Sequence, residues 1–303
     1  MDFSNFDFFD ALFLGLSSGA VYSLVALSLV VVFRGTGHLN FAQGEMATLS
    51  AYITWIFYDM DVPLPLATLI GMAFGFALGA AAEVTLIRPL EKKSPLAVFV
   101  ATIAMFLGIN ALTTGIWGAP PDEALDSLFP NDPDDFVRLF GTVWRYQNIG
   151  ILVTALVVTA LLFLLFQKTR FGLAMRGVAS NAESSRLVGI PTGRILAGSW
   201  GIAGAIAALA GVMVAGLQGQ VTPTLMFSIF VYGSAAATLG GLDSPGGAVI
   251  GGLMIGVIEN MAAELSPEWV GQDMKLTVAL LVIFVVLLFK PSGLFGTQKV
   301  ERV

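Results

Sequence analysis

The sequence predicts an all-α polytopic membrane protein of about nine transmembrane helices, and three observations carry that reading. First, 56% of the 303 residues are hydrophobic and only 12% are charged, a balance that water-soluble domains do not reach. Second, apolar runs near the roughly 20 residues needed to span the hydrocarbon recur along the chain. Third, runs such as Ala155 to Phe166 are apolar on every side. A barrel strand would alternate apolar and polar positions instead.

In order, the runs are Ala11 to Phe33, Phe41 to Tyr58, Leu64 to Ile87, Leu96 to Trp117, Asn148 to Phe166 and Ile195 to Leu217. Three shorter ones follow, Leu225 to Gly240, Gly246 to Met261 and Met274 to Phe289. Each of these is brief for a full crossing unless its ends extend or the segment is re-entrant. The first run has no basic flank before it and no small-residue cleavage pattern after it, so it reads as a retained helix. With no cysteine, disulfides, thiolate metal sites and cysteine catalysis drop out.

Basic residues collect in short cytoplasmic loops. Placing the N-terminus outside puts Arg34, Arg88, Lys92, Lys93, the five between Lys168 and Arg194, Lys290, Lys299 and Arg302 on the inner side. Of the 15 Lys and Arg, only Arg138, Arg145 and Lys275 then fall outside. Asp2, Asp7, Asp10, Asp59, Asp61, the Asp122 to Asp135 stretch, Glu264, Glu268 and Asp273 fall opposite. An odd number of crossings leaves the C-terminus cytoplasmic. The net charge of −6 thus belongs to the outer surface, and no nucleic-acid partner is indicated. The chain reads as one transmembrane domain over 1–303, with an extracytoplasmic loop at 118–147 and a cytoplasmic loop at 168–194. The outer loop, rich in Pro and Asp, is either a solvated connector or a docking surface.

The cytoplasmic loop contains a short helix, Asn181 to Val188. Ser180 and Glu183 have capping-box spacing, Gly189 can take the left-handed stop conformation, and Pro191 forbids continuation. So short a helix is marginal alone and needs a surface to hold it. It is either a polar connector or an element that another protein grips.

Ionisable groups inside a membrane are costly and usually line a cavity or a path. Glu45 follows Gly35, Gly37, Asn40, Gln43 and Gly44, which interrupt the apolar pattern as a broken helix facing a polar cavity does. With Phe41 these make the candidate pathway, Asn40, Phe41, Gln43, Gly44 and Glu45; alternatively Glu45 completes a helix N-terminus. Glu259, Asn260, Gln218 and Gln220 mark an outer vestibule or, more simply, exposed interfacial positions. Glu83 lies within a turn or two of Arg88, which permits neutralisation by that cation or snorkelling to the interface. The lone His38 reads as a loop residue and not a metal ligand. The glycines from Gly240 to Gly256 serve helix packing or open a backbone toward solute. Paired with the Gly35 to Gly44 region, they suggest halves that meet at a central pathway.

Three stretches, GTGHLNFAQGEMATLSAYI from Gly35, KTRFGLAMRGVASNAESSRLVGI from Lys168 and GGLDSPGGAVIGGLMIGVIEN from Gly240, together resemble the LivH-type permeases of branched-chain amino acid importers. The closing PSGLFG at Pro291 is similar too, and urea- and short-amide-type permeases share these motifs. The resemblance implies a channel subunit in a bacterial inner membrane. It also implies a second permease subunit, two cytoplasmic ATP-binding-cassette subunits and an extracytoplasmic substrate-binding protein as partners. Arg170, Met175, Arg176, Asn181, Glu183, Arg186 and Gly189 would then dock the ATPase. Many relatives carry His where this chain has Gln43, so a protonatable group there is not required, and Asp243 replaces a second Gly. For an amino-acid solute, Phe41 and Met46 would suit an aliphatic side chain.

No G-x-x-x-x-G-K-[ST] string is present, so ATP hydrolysis would reside on other chains, and no cofactor is called for. Against the importer stand an ion-coupled transporter, with Glu45 carrying the ion, and a membrane enzyme, for which no catalytic constellation is seen.

Overall fold

The computed structural model describes residues 8–91, 93–118, 124–139, 141–265, 274–290 and 292–296. The expectations placed on Asp2, Asp7, Lys92, Asp122, Glu268, Asp273, Pro291, Lys299 and Arg302 lie outside the described residues.

Each of the nine apolar runs coincides with a helix. Helix α1 spans Phe8–Thr36, α2 Gln43–Asp59 and α3 Leu64–Ala82, which continues through a π-helical turn, Glu83–Ile87, into α4, Arg88–Glu91. Then come α5 (Pro95–Trp117), α6 (Tyr146–Lys168), α7 (Arg170–Ser180), α8 (Ala182–Leu187) and α9 (Thr192–Gln218). The chain continues through α10 (Phe227–Gly240), α11 (Pro245–Leu265) and α12 (Met274–Phe289). Among the described residues, six helical stretches are long and apolar enough to cross a membrane; α2, α10 and α12 are shorter. Between α5 and α6, β1 (Phe136–Leu139) and β2 (Thr142–Arg145) form an antiparallel hairpin with Phe136 opposite Arg145. Leu125, in the same loop, is buried, its amide donating to the Gly219 carbonyl at 3.3 Å.

Helices α1 and α9 form the centre. From Ala20 to Val32 every residue of α1 is buried, enclosed by α6, α9, α10 and α11. At the periphery, α5 turns Leu96, Val100, Leu107, Leu112 and Ile116 outward, and α6 exposes Val153, Leu156, Leu161 and Phe163. In water such surfaces would drive aggregation. In lipid they are matched by their solvent, which is why the outward faces carry no charge.

Lipid provides no hydrophobic force between helices, so close contact must come from van der Waals packing at small residues. Gly15, Gly19 and Ser23 of α1 meet Gly252 and Gly256 of α11 backbone to backbone: a Cβ on Gly19 would lie 2.7 Å from the Leu253 Cα, and one on Gly15 2.6 Å from the Val257 Cα. Gly240, Gly247 and Gly251 do the same between α10 and α11, and Gly75 and Gly79 of α3 against Trp200 and Gly204 of α9. Of the two readings of this run, Gly240, Gly247, Gly251, Gly252 and Gly256 take the first, helix packing.

Candidate functional site: a polar break in the bundle and a helical loop

Asn40 starts α2 late. Its Oδ1 accepts from the Ala42 amide at 3.1 Å, and its Nδ2 donates to Gln43 Oε1 at 2.7 Å. The turn this makes feeds directly into the first helical residue. Gln43 in turn donates from Nε2 to the Ala203 carbonyl at 3.0 Å, and Ala203 lies near the middle of α9. Helix α2 therefore begins alongside the centre of a long helix and not at its end. Asn40 and Gln43 are both fully enclosed.

A second interruption faces the first. Helix α9 ends on Gly219 with φ 71°, and the connection passes through Pro223 before α10 starts at Phe227. Gly44 lets these segments meet, since a Cβ there would sit 2.9 Å from the Phe230 Cβ. Between them lies Glu45, in the first turn of α2 and 2% exposed. Asn110, past the midpoint of α5, donates to Glu45 Oε2 at 3.3 Å and lies 3.4 Å from the Pro223 carbonyl. Phe41 packs edge-on against Phe99 with ring centroids 5.2 Å apart.

The structure therefore gathers Asn40, Gln43, Gly44 and Glu45 at one polar break, with Phe41 at its margin. The partner break is Gly219 to Met226, and not the Gly240 to Gly252 stretch expected from the glycine count. Asn110 and Pro223 were missed, although an amide inside the apolar α5 run is a signal of the kind that singled out Glu45. Gln218 is exposed at the last residue of α9.

Glu259 departs from the exposed interfacial position expected for it. It is buried, accepts a hydrogen bond from Tyr22 at 2.5 Å, and is faced by Tyr232, whose ring stacks on Tyr22 at 4.9 Å. It thereby ties α1, α10 and α11 together. Glu83, 1% exposed, is neutralised as expected, taking Arg88 Nε at 3.0 Å and Nη2 at 2.5 Å. Arg88 also donates to the Gly193 carbonyl at 2.7 Å, fixing the π-helical turn to the start of α9. His38 sits in the turn after α1.

The loop from Lys168 to Arg194 holds two helices where one was expected. Thr169 caps α7 by accepting from the Gly172 amide at 3.1 Å. Asn181 ends α7 and caps α8, its Oδ1 accepting from the Ser184 amide at 2.8 Å. The capping box expected at Ser180 and Glu183 gives way to a single cap at Asn181: Ser180 is still helical, and an N-cap must be non-helical. Gly189, at φ 85°, stops the second helix as expected, and Arg186 Nε donates to Thr192 Oγ1 at 2.9 Å, joining α8 to α9.

The loop is amphipathic. Met175 and Val178 are buried and hold α7 to the bundle, so Met175 is an anchor and not part of an outward face. Arg170, Arg176, Asn181, Glu183, Arg186 and Gly189 are exposed. So are three apolar residues: Leu173 at 64%, Leu187 at 86% and Val188 at 76%.

The family described as branched-chain amino acid transport system / permease component matches residues 11–289. BraD of Pseudomonas aeruginosa, a high-affinity branched-chain amino acid transport system permease protein, is 30% identical over 95% of this chain and 96% of its own. LivH of Escherichia coli K12, of the same description, is 29% identical over 98% of both chains. MglC of Escherichia coli K12, a galactose/methyl galactoside import permease protein, is 28% identical over 80% of this chain and 66% of its own. The match spans α1 to α12, including the polar break and the helical loop, and on it the chain belongs to the family of branched-chain amino acid transport system permease components.

Proposed function

We propose that this permease carries branched-chain amino acids inward, as one of two permease subunits driven by two cytoplasmic ATPases and loaded by an extracytoplasmic binding protein. In this reading the nine apolar helices cross or enter the membrane, the N-terminus is outside, and the C-terminus and the α7–α8 loop face the cytoplasm. No covalent chemistry occurs on this chain. The single observation that carries the coupling is the exposed apolar tip, Leu187 and Val188, on a loop anchored by Met175 and rimmed by Arg170, Arg176, Glu183 and Arg186. An apolar tip inside a charged rim is what a protein partner seats in a pocket. Because Arg186 ties α8 to Thr192, a push on the tip is delivered to α9 and, through Gly193, to Arg88 and Glu83.

The test is to purify the protein with its native partners and repeat with Arg176→Glu and Glu183→Arg. An ATPase should accompany the wild type and be lost or uncoupled in the variants. In proteoliposomes, labelled leucine should enter only with ATP inside the coupled compartment. A protein that runs alone and moves solute without ATP would establish ion coupling in its place. Uptake of urea or galactose instead of leucine would reassign the solute and leave the permease role standing.

A further inference from the structure

Of the three carboxylates buried among the described residues, two are matched by donors. Glu83 holds a guanidinium at two points, and Glu259 takes a phenol hydroxyl at 2.5 Å. Glu45 differs. Its one polar side-chain neighbour is the Asn110 amide at 3.3 Å, and among the described residues no cation pairs with it. Burying an uncompensated carboxylate is strongly unfavourable, and the amide end of α2 offsets only a small part of that cost. A site left with that deficit attracts a cation.

The surroundings select which cation. The same Asn110 Nδ2 lies against both Glu45 Oε2 and the Pro223 carbonyl, so these acceptors converge on one point. The connection from Gly219 to Met226 is non-helical, which leaves carbonyls such as that of Pro223 free of a helical ladder. A group that replaced the Asn110 amide there would need several N–H donors and a positive charge. A primary ammonium has both. Met46, beside Asn40, and Phe230, against Gly44, supply apolar surface around the break.

We propose that Glu45 and the Pro223 carbonyl, bridged by the Asn110 amide until solute enters, form the receptor for the ammonium group of the transported amino acid. The receptor is closed in this conformation, with Glu45 2% exposed, and Asn110, half-buried, is the group displaced on entry. It separates amino acids from the uncharged solutes that a permease of the same architecture could carry, because urea and sugars bring no cation to the deficit. The inference rests on the amino-acid reading proposed above.

The test uses the full transporter in proteoliposomes, with labelled leucine, ATP and no ion gradient. Glu45→Gln keeps the shape and removes the charge, and should cut uptake at least tenfold while its partners still copurify. Glu45→Asp, which keeps the charge, should retain a clearly higher rate than Glu45→Gln. Uptake by Glu45→Gln within twofold of wild type would overturn the receptor. So would equal losses in the Gln and Asp variants, which would show that charge is not what matters, or wild-type uptake that requires a proton or sodium gradient. Should Glu45→Gln fail to assemble, Asn110→Ala decides: with the amide that occupies the acceptors gone, KM for leucine should fall severalfold, and an unchanged or raised KM would overturn the assignment. A wild-type complex that imports another solute and no leucine defeats the amino-acid reading itself, an outcome distinct from a variant that works.

Discussion

The α1–α11 seam and the polar break around Glu45 are written in similar residues and do opposite things. Both interrupt apolar helices with small side chains. In the seam, Gly15, Gly19, Gly252 and Gly256 bring two continuous helices together until no room remains for a Cβ. At the break, Gly44 brings one helix start against another, and the neighbouring Asn40, Gln43, Glu45 and Asn110 occupy the gap with hydrogen bonds. Glycines facing each other across two helices report close approach. Buried amides and carboxylates that find each other report an interruption of the ladder.

The comparison breaks hardest at the seam. A Cβ at Gly252 would lie 2.6 Å from the Ser23 amide nitrogen and 2.7 Å from its Cα, backbone atoms that cannot step aside. Gly252→Ala should destabilise the purified permease by about 2–3 kcal/mol, read as a lower thermal midpoint in detergent. Gly108, on the outer face of α5 with nothing within 4 Å, is the control: Gly108→Ala should be neutral or gain up to about 1 kcal/mol.

Next comes the break itself. Asn40→Ala removes the acceptor for the Ala42 amide and the donor to Gln43, both fully buried. A loss of about 2 kcal/mol is expected from stranding those groups. A midpoint as unmoved as that of Gly108→Ala would show the interruption to be held by something other than its polar residues. Smaller again is Asn181→Ala in the α7–α8 loop, which removes the cap of α8. The cost is about 1 kcal/mol and local, and amide exchange in Ala182–Leu187 should quicken roughly fivefold while the seam is unchanged.

Much of this was legible from sequence for identifiable reasons. Each apolar run became a helix because run length and all-round hydrophobicity leave no other economical structure in lipid. Gly189 and Arg88 could be read because their effects are local, acting within a few residues. The second break was not legible, since Pro223 becomes part of the site only through Asn110, more than a hundred residues away. Helix α7 was hidden by its mixed character: RFGLAMRGVAS alternates basic, small and apolar residues, and only packing against α6, α1 and α9 shows which face turns inward. Glu259 was read as exposed because it lies near a helix end, and it is buried because Tyr22 crosses to it from α1.

The smallest expected change in stability carries the largest contrast with function. Glu83→Gln replaces the anionic partner of Arg88 in a pair that also holds Gly193, so a loss of about 1–3 kcal/mol is expected. Glu45→Gln removes a charge that has only an amide beside it. The favourable interaction lost with the N-terminus of α2, about 0.3–1 kcal/mol, is offset by the desolvation no longer imposed, and the thermal midpoint should stay put or rise. Measured side by side, a stable Glu45→Gln and a weakened Glu83→Gln would separate a carboxylate kept for what binds it from one kept for what it holds together. If Glu45→Gln falls as far as Glu83→Gln, Glu45 is a structural residue, and the distinction between the break and the rest of the bundle is lost.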